Sequence, residues 1–242
     1  MTYCVALKLN AGLVLLSDTR TNAGLDNISV YRKMFFFEEP GERVVGIMTA
    51  GSLSVTQTTI ARLQEAIDSP EASEHNSIMK AGSMLGVVGI IGDTLSRTRR
   101  EIAAQHADLR QSQASASMIV AGQRSGGDMR LFLVYPEGNH IEATEDTPYL
   151  QIGEHKYGKP ILDRVVTPAT NLEDAQKAVL LSMDSTMKSN LSVGMPLDLA
   201  IIENDACRVS AKRRILQSDP QFSAMSEAWS EALREAFVEM PL

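Results

Sequence analysis

The order in which strand-like and helix-like runs follow one another constrains the fold of this 242-residue chain most strongly. Strands show alternating or continuous short apolar runs, whereas helices repeat apolar residues every three to four positions. Strands are predicted at about 3–8, 12–18, 30–37, 43–49, 115–122, 129–135, 138–143, 149–152, 196–203 and 206–214. Helices are predicted at about 52–67, 77–107, 157–165, 171–190 and 221–238. Groups of strands separated by pairs of helices fit two stacked sheets enclosed by helix layers, although a generic α+β protein would give the same list.

Two of the predicted helices carry further information about packing. The centre of the helix at 77–107, residues 84–91, is apolar on every side, which is typical of an interior or an interface. The helix at 221–238 carries one apolar stripe, formed by Phe222, Met225, Trp229, Leu233 and Phe237. Packing within the same chain is the first interpretation of this stripe. Contact with a neighbouring subunit is the second, because the helix is terminal and contains the only tryptophan.

The start of the chain predicts a chemical function. Thr2 follows Met1, and its small side chain would let methionine aminopeptidase expose it as the N-terminal residue. A terminal threonine carries a hydroxyl nucleophile and an α-amine, whose ordinary pKa of about 7.7–8.0 lets it act as a base. Many chains begin with Met-Thr for no chemical reason, so this feature needs support from other residues.

Asp18 and Lys33 supply that support. A threonine hydroxyl in a cleft needs a cation near its oxygen to favour the alkoxide, and the cation needs a carboxylate to hold it. Lys33 and Asp18 have these charges. A surface ion pair beside a β-hairpin is the alternative interpretation of the two residues alone.

Together, these residues resemble the proteasome β-subunit superfamily of N-terminal nucleophile hydrolases, and most of all its bacterial Anbu (ancestral β-subunit) family. The matching positions are Thr2, Asp18-Thr19-Arg20-Thr21-Asn22-Ala23-Gly24, Lys33 and Ala50-Gly51. The resemblance implies an α+β fold, a four-layer αββα sandwich of two stacked antiparallel sheets flanked by helices. We expect one domain over residues 1–242, because the chain has no internal repeat or linker-like tract.

The resemblance also implies a role for each matching residue. Thr2 would be the nucleophile and, through its amine, the general base. Lys33 would lower the pKa of the hydroxyl, Asp18 would orient Lys33, and the backbone N–H of Gly51 would bind the oxyanion. The segment Thr21, Asn22 and Ala23 would pair with an extended substrate as an added strand. The residues expected to line the pocket before the scissile bond are Tyr31, Phe35, Thr49, Leu53 and Gln57.

The chain departs from the family pattern around the threonine amine. Asn22 stands where the family usually has Thr, and Asn190 lies near the usual position of an Asp. Glu154 occupies the region where proteasome subunits have a Gly-Ser-Gly segment. We hypothesise that Glu154 supplies the missing negative charge and that Ser189 or Ser192 hydrogen-bonds the amine.

Composition restricts the class of partner. The formal charge is −7 and the isoelectric point is about 5.2, which disfavours nucleic acid or an anionic membrane as the main partner. Two cysteines, no signal peptide and no run of 18 apolar residues indicate a reducing cytoplasm. The four histidines have no metal-ligand spacing, and Gly126-Gly127 is typical of a hairpin turn rather than a phosphate loop. No metal or cofactor is therefore expected.

Three functions remain possible from the sequence. The first is a threonine peptidase or amidase that hydrolyses peptide bonds through an acyl-enzyme on Thr2, inside a homo-oligomeric ring or open spiral. The second is a non-catalytic or weakly active assembly subunit that keeps the fold, and the third is a hydrolase of small amides. An ATP-driven unfoldase partner is conceivable by analogy with the small bacterial peptidase HslV, but no residue identifies one.

Overall fold

The computed structural model describes residues 1–22, 28–105 and 114–241, without the side chains of Asn22 and Ile28. Within this part the strands are β1 Tyr3–Leu9, β2 Gly12–Asp18, β3 Arg20–Asn22, β4 Ile28–Val30, β5 Met34–Glu39, β6 Arg43–Gly51, β7 Ala116–Arg124, β8 Arg130–Val134, β9 His140–Glu142, β10 Tyr149–Gly153, β11 Leu197–Glu203 and β12 Ala211–Ile215. The helices are α1 Leu53–Asp68, α2 Met84–Gln105, α3 Lys159–Val165, α4 Leu172–Ser189 and α5 Pro220–Glu239.

The strands form two five-stranded antiparallel sheets. The first sheet has the order β10-β1-β2-β11-β12, and the second has the order β5-β6-β7-β8-β9. All seven residues of β2 are buried, as expected for a central strand covered on both faces. The short strands β3 and β4 pair only with each other among the described residues.

Three apolar cores hold the layers together. Side chains of both sheets, including Ala6, Leu15 and Met48, form the core between them. Helices α3 and α4 cover the outer face of the first sheet, and α1 and α2 cover the outer face of the second. The layers therefore follow the order helix, sheet, sheet, helix, which confirms the predicted αββα sandwich.

Helix α2 begins at Met84, so the prediction of a helix from residue 77 was wrong by about two turns. The buried guanidinium of Arg43 donates to the carbonyl oxygens of Ile78 and Ala81 at 3.0 and 2.9 Å. An α-helix would use these oxygens as acceptors for its own N–H groups. Ser83 then starts the helix, because its side-chain oxygen accepts a hydrogen bond from Gly86 N–H at 3.1 Å.

Two predicted strands also differ in their bounds. The run at 30–37 is divided into the end of β4 and the start of β5, and Lys33 lies in the break between them. The run at 206–214 becomes a strand only at Ala211. Asp205 and Cys207 have positive φ values of 63° and 45°, which belong to a turn rather than a strand.

The apolar stripe of α5 packs within the chain along only part of its length. Phe222 packs against the core between the first sheet and α4, and Trp229 lines a groove with residues of α3 and α4. Farther along the same stripe, Leu233 and Phe237 are 51% and 81% exposed. The first half of the helix therefore packs within the chain, whereas the second half presents apolar side chains at the surface.

Among the described residues, none of the helices has the length and apolar character required to cross a membrane.

Candidate active site

A buried ion pair lies at the end of β2. Lys33 Nζ is 2.7 Å from Asp18 Oδ1; Asp18 has no exposed surface, and Lys33 is only 5% exposed. The alternative of a surface ion pair is therefore wrong. Two backbone groups also donate to the carboxylate, Tyr3 N–H at 3.1 Å and Gly194 N–H at 3.4 Å. Burial raises the pKa of the Asp18 carboxyl above its ordinary value, while the Lys33 ammonium and the two N–H groups counteract that rise.

The Lys33 ammonium is held in a fixed direction. Besides Asp18, it donates to the carbonyl oxygen of Arg20 at 2.6 Å. The third N–H has no hydrogen-bond partner within the described ranges, and Lys33 lines a pocket of about 330 Å³. This pocket is lined by Met1, Thr2, Thr21, Lys33, Thr49, Ala50, Gly51, Leu53, Thr56 and Gly153.

Thr2 sits at this pocket because of its backbone contacts with the end of β10. Its carbonyl oxygen accepts a hydrogen bond from Glu154 N–H at 2.7 Å. Gly153 has a φ of +82°, and a Cβ there would lie 2.7 Å from the Thr2 carbonyl carbon and closer still to its oxygen. Only glycine permits this approach. Thr2 and Lys33 therefore line the same cavity.

Gly51 ends β6 at the same pocket. The N–H of Thr49 donates to Lys33 O at 2.9 Å, so Gly51, two residues farther, directs its N–H to the same side of β6. Strand β5 begins only at Met34, opposite Met48, and no described strand residue pairs with Gly51 on that side. Among the described residues, the Gly51 N–H therefore has no strand partner on this side of β6, and Gly51 lines the pocket.

The predicted substrate-binding residues are only partly brought together. Thr21, Thr49 and Leu53 line the pocket, whereas Tyr31, Phe35 and Gln57 are not among its lining residues. Asn22 belongs to β3, but its side chain lies outside the described part of the chain, as does Ala23. One edge of β3 pairs with β4, and no described strand pairs with its other edge.

The residues proposed to support the amine lie near one another. Asn190 Nδ2 donates to Glu154 Oε2 at 3.2 Å, and Asn190 Oδ1 accepts from Ser192 N–H at 3.0 Å. Ser189 is the last residue of α4, and neither serine lines the pocket. The Glu154 carboxylate thus contacts the asparagine that departs from the family pattern, and its action on the amine stays a prediction.

Sequence reasoning missed three contributors to the site: Thr56, Gly153 and Gly194. Thr56 follows Leu53 by three positions, so helical spacing would have put both on one face of α1. Gly153 and Gly194 act through backbone groups, which leave no side-chain signature. Cys4 lies two residues from Thr2 and also has a nucleophilic side chain, but it is fully buried, and burial raises the pKa of its thiol. It therefore serves as a small core residue.

No group of three or more His, Cys, Asp or Glu side chains in ranges 1–22, 28–105 and 114–241 is arranged to hold a metal ion.

Comparisons with known proteins agree with this arrangement. A family model described as "Proteasome subunit" matches residues 2–202. Anbu (ancestral beta-subunit) from Yersinia bercovieri is 41% identical, with a TM-score of 0.91, over 99% of this chain and 98% of that chain. An Anbu (Gly-1) mutant from Hyphomicrobium sp. strain MC1 is 45% identical, with a TM-score of 0.93, over 100% of this chain and 99% of that chain.

A third similar solved structure is the helical assembly of the Anbu complex from Pseudomonas aeruginosa. It is 42% identical, with a TM-score of 0.90, over 99% of this chain and 97% of that chain. A comparison with curated proteins gave no match.

Proposed function

Because this chain belongs to the proteasome subunit family, among its Anbu proteins, we propose that it is a threonine peptidase or amidase acting through Thr2. Removal of Met1 creates the α-amine that the reaction requires. The observation that carries the proposal is that Lys33, buried and paired with Asp18, lines the same pocket as Thr2. A buried ion pair is costly to build for stability alone, and its position at a pocket supports a catalytic use.

The proposed reaction has two halves. The Thr2 amine takes the hydroxyl proton, and the oxygen attacks the carbonyl carbon of the scissile bond. The Lys33 ammonium favours the developing alkoxide, and the Gly51 N–H donates to the oxyanion of the tetrahedral intermediate. The amine then gives its proton to the leaving nitrogen, which leaves an ester on Thr2. Water hydrolyses this ester with the amine as base and restores the hydroxyl.

An extended peptide is the substrate that the surroundings of the pocket favour. The open edge of β3 offers backbone groups to an added strand, and Thr21 on that strand lines the pocket. The one charged residue that lines the pocket in the described part of the chain, Lys33, is already paired with Asp18. We therefore propose a neutral side chain before the scissile bond.

We further propose that residues 1–242 act as one domain and assemble into a ring or open spiral in the cytoplasm. The exposed apolar half of α5 supports self-association, as does the helical assembly named for the Pseudomonas aeruginosa relative. Both cysteines are free, which is compatible with a reducing compartment.

The test is intact-mass spectrometry of the untagged chain before and after treatment with a peptide epoxyketone. A stable adduct with this reagent requires both a threonine hydroxyl and a free α-amine. Loss of Met1 and one adduct per chain are expected for the wild type, and no adduct is expected for Lys33→Met. Lys159→Met is the matched control, because Lys159 Nζ is also 2.7 Å from a carboxylate oxygen, that of Asp163, but the pair is about half exposed.

The outcomes of this experiment distinguish the three functions. Retention of Met1, or an equal adduct in Lys33→Met, would contradict the proposal. Loss of Met1 without an adduct would favour the assembly subunit, whose best support is the Asn190–Glu154 contact in place of a free carboxylate beside Thr2. If the adduct forms, turnover of small amides but not of peptides would favour the third function.

A further inference from the structure

Tyr3, the residue after the proposed nucleophile, is held by hydrogen bonds at both its backbone N–H and its side-chain hydroxyl. Tyr3 is fully buried, and its backbone N–H donates to Asp18 Oδ1 at 3.1 Å. Its hydroxyl lies 2.6 Å from Ser182 Oγ on α4 and accepts from Gln151 Nε2 on β10, also at 2.6 Å. Because Gln151 donates, the hydroxyl hydrogen of Tyr3 is available for Ser182. We name these three side chains the tyrosine anchor.

The backbone of Gly158 packs against the tyrosine anchor. Gly158 precedes α3 and has an ordinary φ of −88°, so its backbone conformation suits any residue. A Cβ there would lie 2.8 Å from the Tyr3 hydroxyl oxygen and closer still to Ser182 Oγ. The chain therefore packs backbone directly over the two hydroxyls.

The anchor acts on the peptide that carries Thr2. The Thr2 carbonyl oxygen accepts a hydrogen bond from Glu154 N–H, and the N–H of Tyr3 donates to Asp18. The Tyr3 hydroxyl is hydrogen-bonded to Ser182 and Gln151. Asp18 also holds Lys33, so the position of Tyr3 is tied to both the nucleophile and its cation. Burial raises the pKa of the Tyr3 hydroxyl, which therefore stays neutral and keeps both bonds across the working pH range.

We propose that Tyr3 is a positioning residue: its hydroxyl, bonded to Ser182 and Gln151, fixes the Thr2 peptide relative to Lys33 and Gly51. The inference rests on the proposed role of Thr2 and adds a residue outside the catalytic pocket to it. Removing the hydroxyl while keeping the ring lets the Thr2 peptide shift, and small displacements at a reacting centre reduce rates strongly.

The test compares Tyr3→Phe with Tyr149→Phe. Tyr149 lies opposite Leu7, near the other end of β1, and its hydroxyl bonds to Lys159 and Asp163 rather than to groups near Thr2. The rate of epoxyketone adduct formation is measured against reagent concentration to separate kinact from KI. We expect kinact to fall about tenfold in Tyr3→Phe, with KI unchanged, and neither constant to change in Tyr149→Phe.

Hydrogen exchange of the Glu154 amide supplies a readout that does not need activity. This amide donates to Thr2 O, so we expect it to exchange about tenfold faster in Tyr3→Phe and at the wild-type rate in Tyr149→Phe. Gly158→Ala and Ser182→Ala should act in the same direction as Tyr3→Phe. They keep the proposal testable if the first variant folds poorly.

The outcomes separate the two proposals. If the Tyr3 hydroxyl has only a structural role, Tyr3→Phe will lower the fraction of chains that react but leave kinact of the folded fraction and the exchange rate of the Glu154 amide unchanged. That result would overturn the inference. If the wild type never reacts but the Glu154 amide exchanges faster in Tyr3→Phe, Gly158→Ala and Ser182→Ala, the peptidase proposal is overturned. The proposed positioning of the Thr2 peptide by Tyr3 then still holds.

Discussion

Replacing Gly51 by alanine tests the proposed oxyanion donor most directly. Gly51 has a φ of +107°, which L-residues other than glycine rarely adopt, and a new Cβ would lie 2.8 Å from Ala116 Cα and closer to Ser115 O. Ordinary van der Waals contact begins near 3.4 Å, so the contact with Ala116 alone requires a movement of 3.4 − 2.8, or 0.6 Å, and the closer contact with Ser115 O requires a larger one. The backbone conformation costs about 1–3 kcal/mol, and the steric conflict costs a similar amount.

The same displacement moves the Gly51 N–H away from the oxyanion position. Loss of one such donor lowers rates by about 10²–10³-fold, and a displacement of this size gives an expected loss near the lower end, about 10²-fold. The assay is the rate of epoxyketone adduct formation by intact mass. Urea unfolding at one fixed protein concentration measures the stability change in parallel.

Gly41→Ala is the matched control for Gly51→Ala. Gly41 has a φ of +84° in the turn between β5 and β6, and a Cβ there would meet nothing within 4 Å. We expect a stability loss of about 1–2 kcal/mol from the backbone conformation alone and a wild-type adduct rate. A Gly51→Ala variant that is folded and reacts as fast as Gly41→Ala would refute the assignment of Gly51 as oxyanion donor.

Three other substitutions test separate parts of the structure. Asp18→Asn leaves the buried Lys33 ammonium without its carboxylate; urea unfolding should show a loss of about 3–5 kcal/mol, and an unchanged midpoint would contradict the buried pair. Asp219→Ala removes the N-cap of α5 and should cost about 1 kcal/mol at pH 7. The Phe222 N–H, and then Arg213, lower the pKa of the Asp219 carboxyl, so this contribution is fully present above the ordinary pKa near 4 and disappears as pH falls through the lower folded value. A difference from wild type that does not shrink as pH falls below about 4 would argue against it. Phe237→Ser, at a side chain 81% exposed, should change unfolding by less than about 0.5 kcal/mol but reduce the assembly mass by light scattering, and an unchanged mass would exclude this residue from the interface.

Local patterns in the sequence predicted most of the fold. The periodicity of apolar residues indicated nearly every strand and helix. Residues that face the core recur every two positions in a strand and every three to four positions in a helix. The four-layer arrangement did not follow from these patterns alone. It came from the resemblance carried by Thr2, Asp18, Lys33 and Ala50-Gly51, and the packing of the two sheets confirms it.

Contacts with distant parts of the chain decided two features that the local pattern left wrong or open. Residues 77–83 have helical periodicity, but Arg43, 35 positions earlier than Ile78, takes carbonyl oxygens that a helix would need. The side chain of Phe237 fits the same stripe as Phe222, yet only Phe222 reaches the core. In both cases a contact, or the lack of one, with a distant part of the chain decides the outcome.

The sequence by itself determined the element order and the residue types of the proposed chemistry. The tertiary structure alone decided that the Asp18–Lys33 pair is buried, that Thr56 joins the pocket and that Gly194 holds Asp18 from 176 positions away. Periodicity and turn chemistry are local properties, which a sequence displays directly. Burial and hydrogen bonding between distant residues depend on how the two sheets and their helices pack, and a sequence read along its length does not contain that geometry.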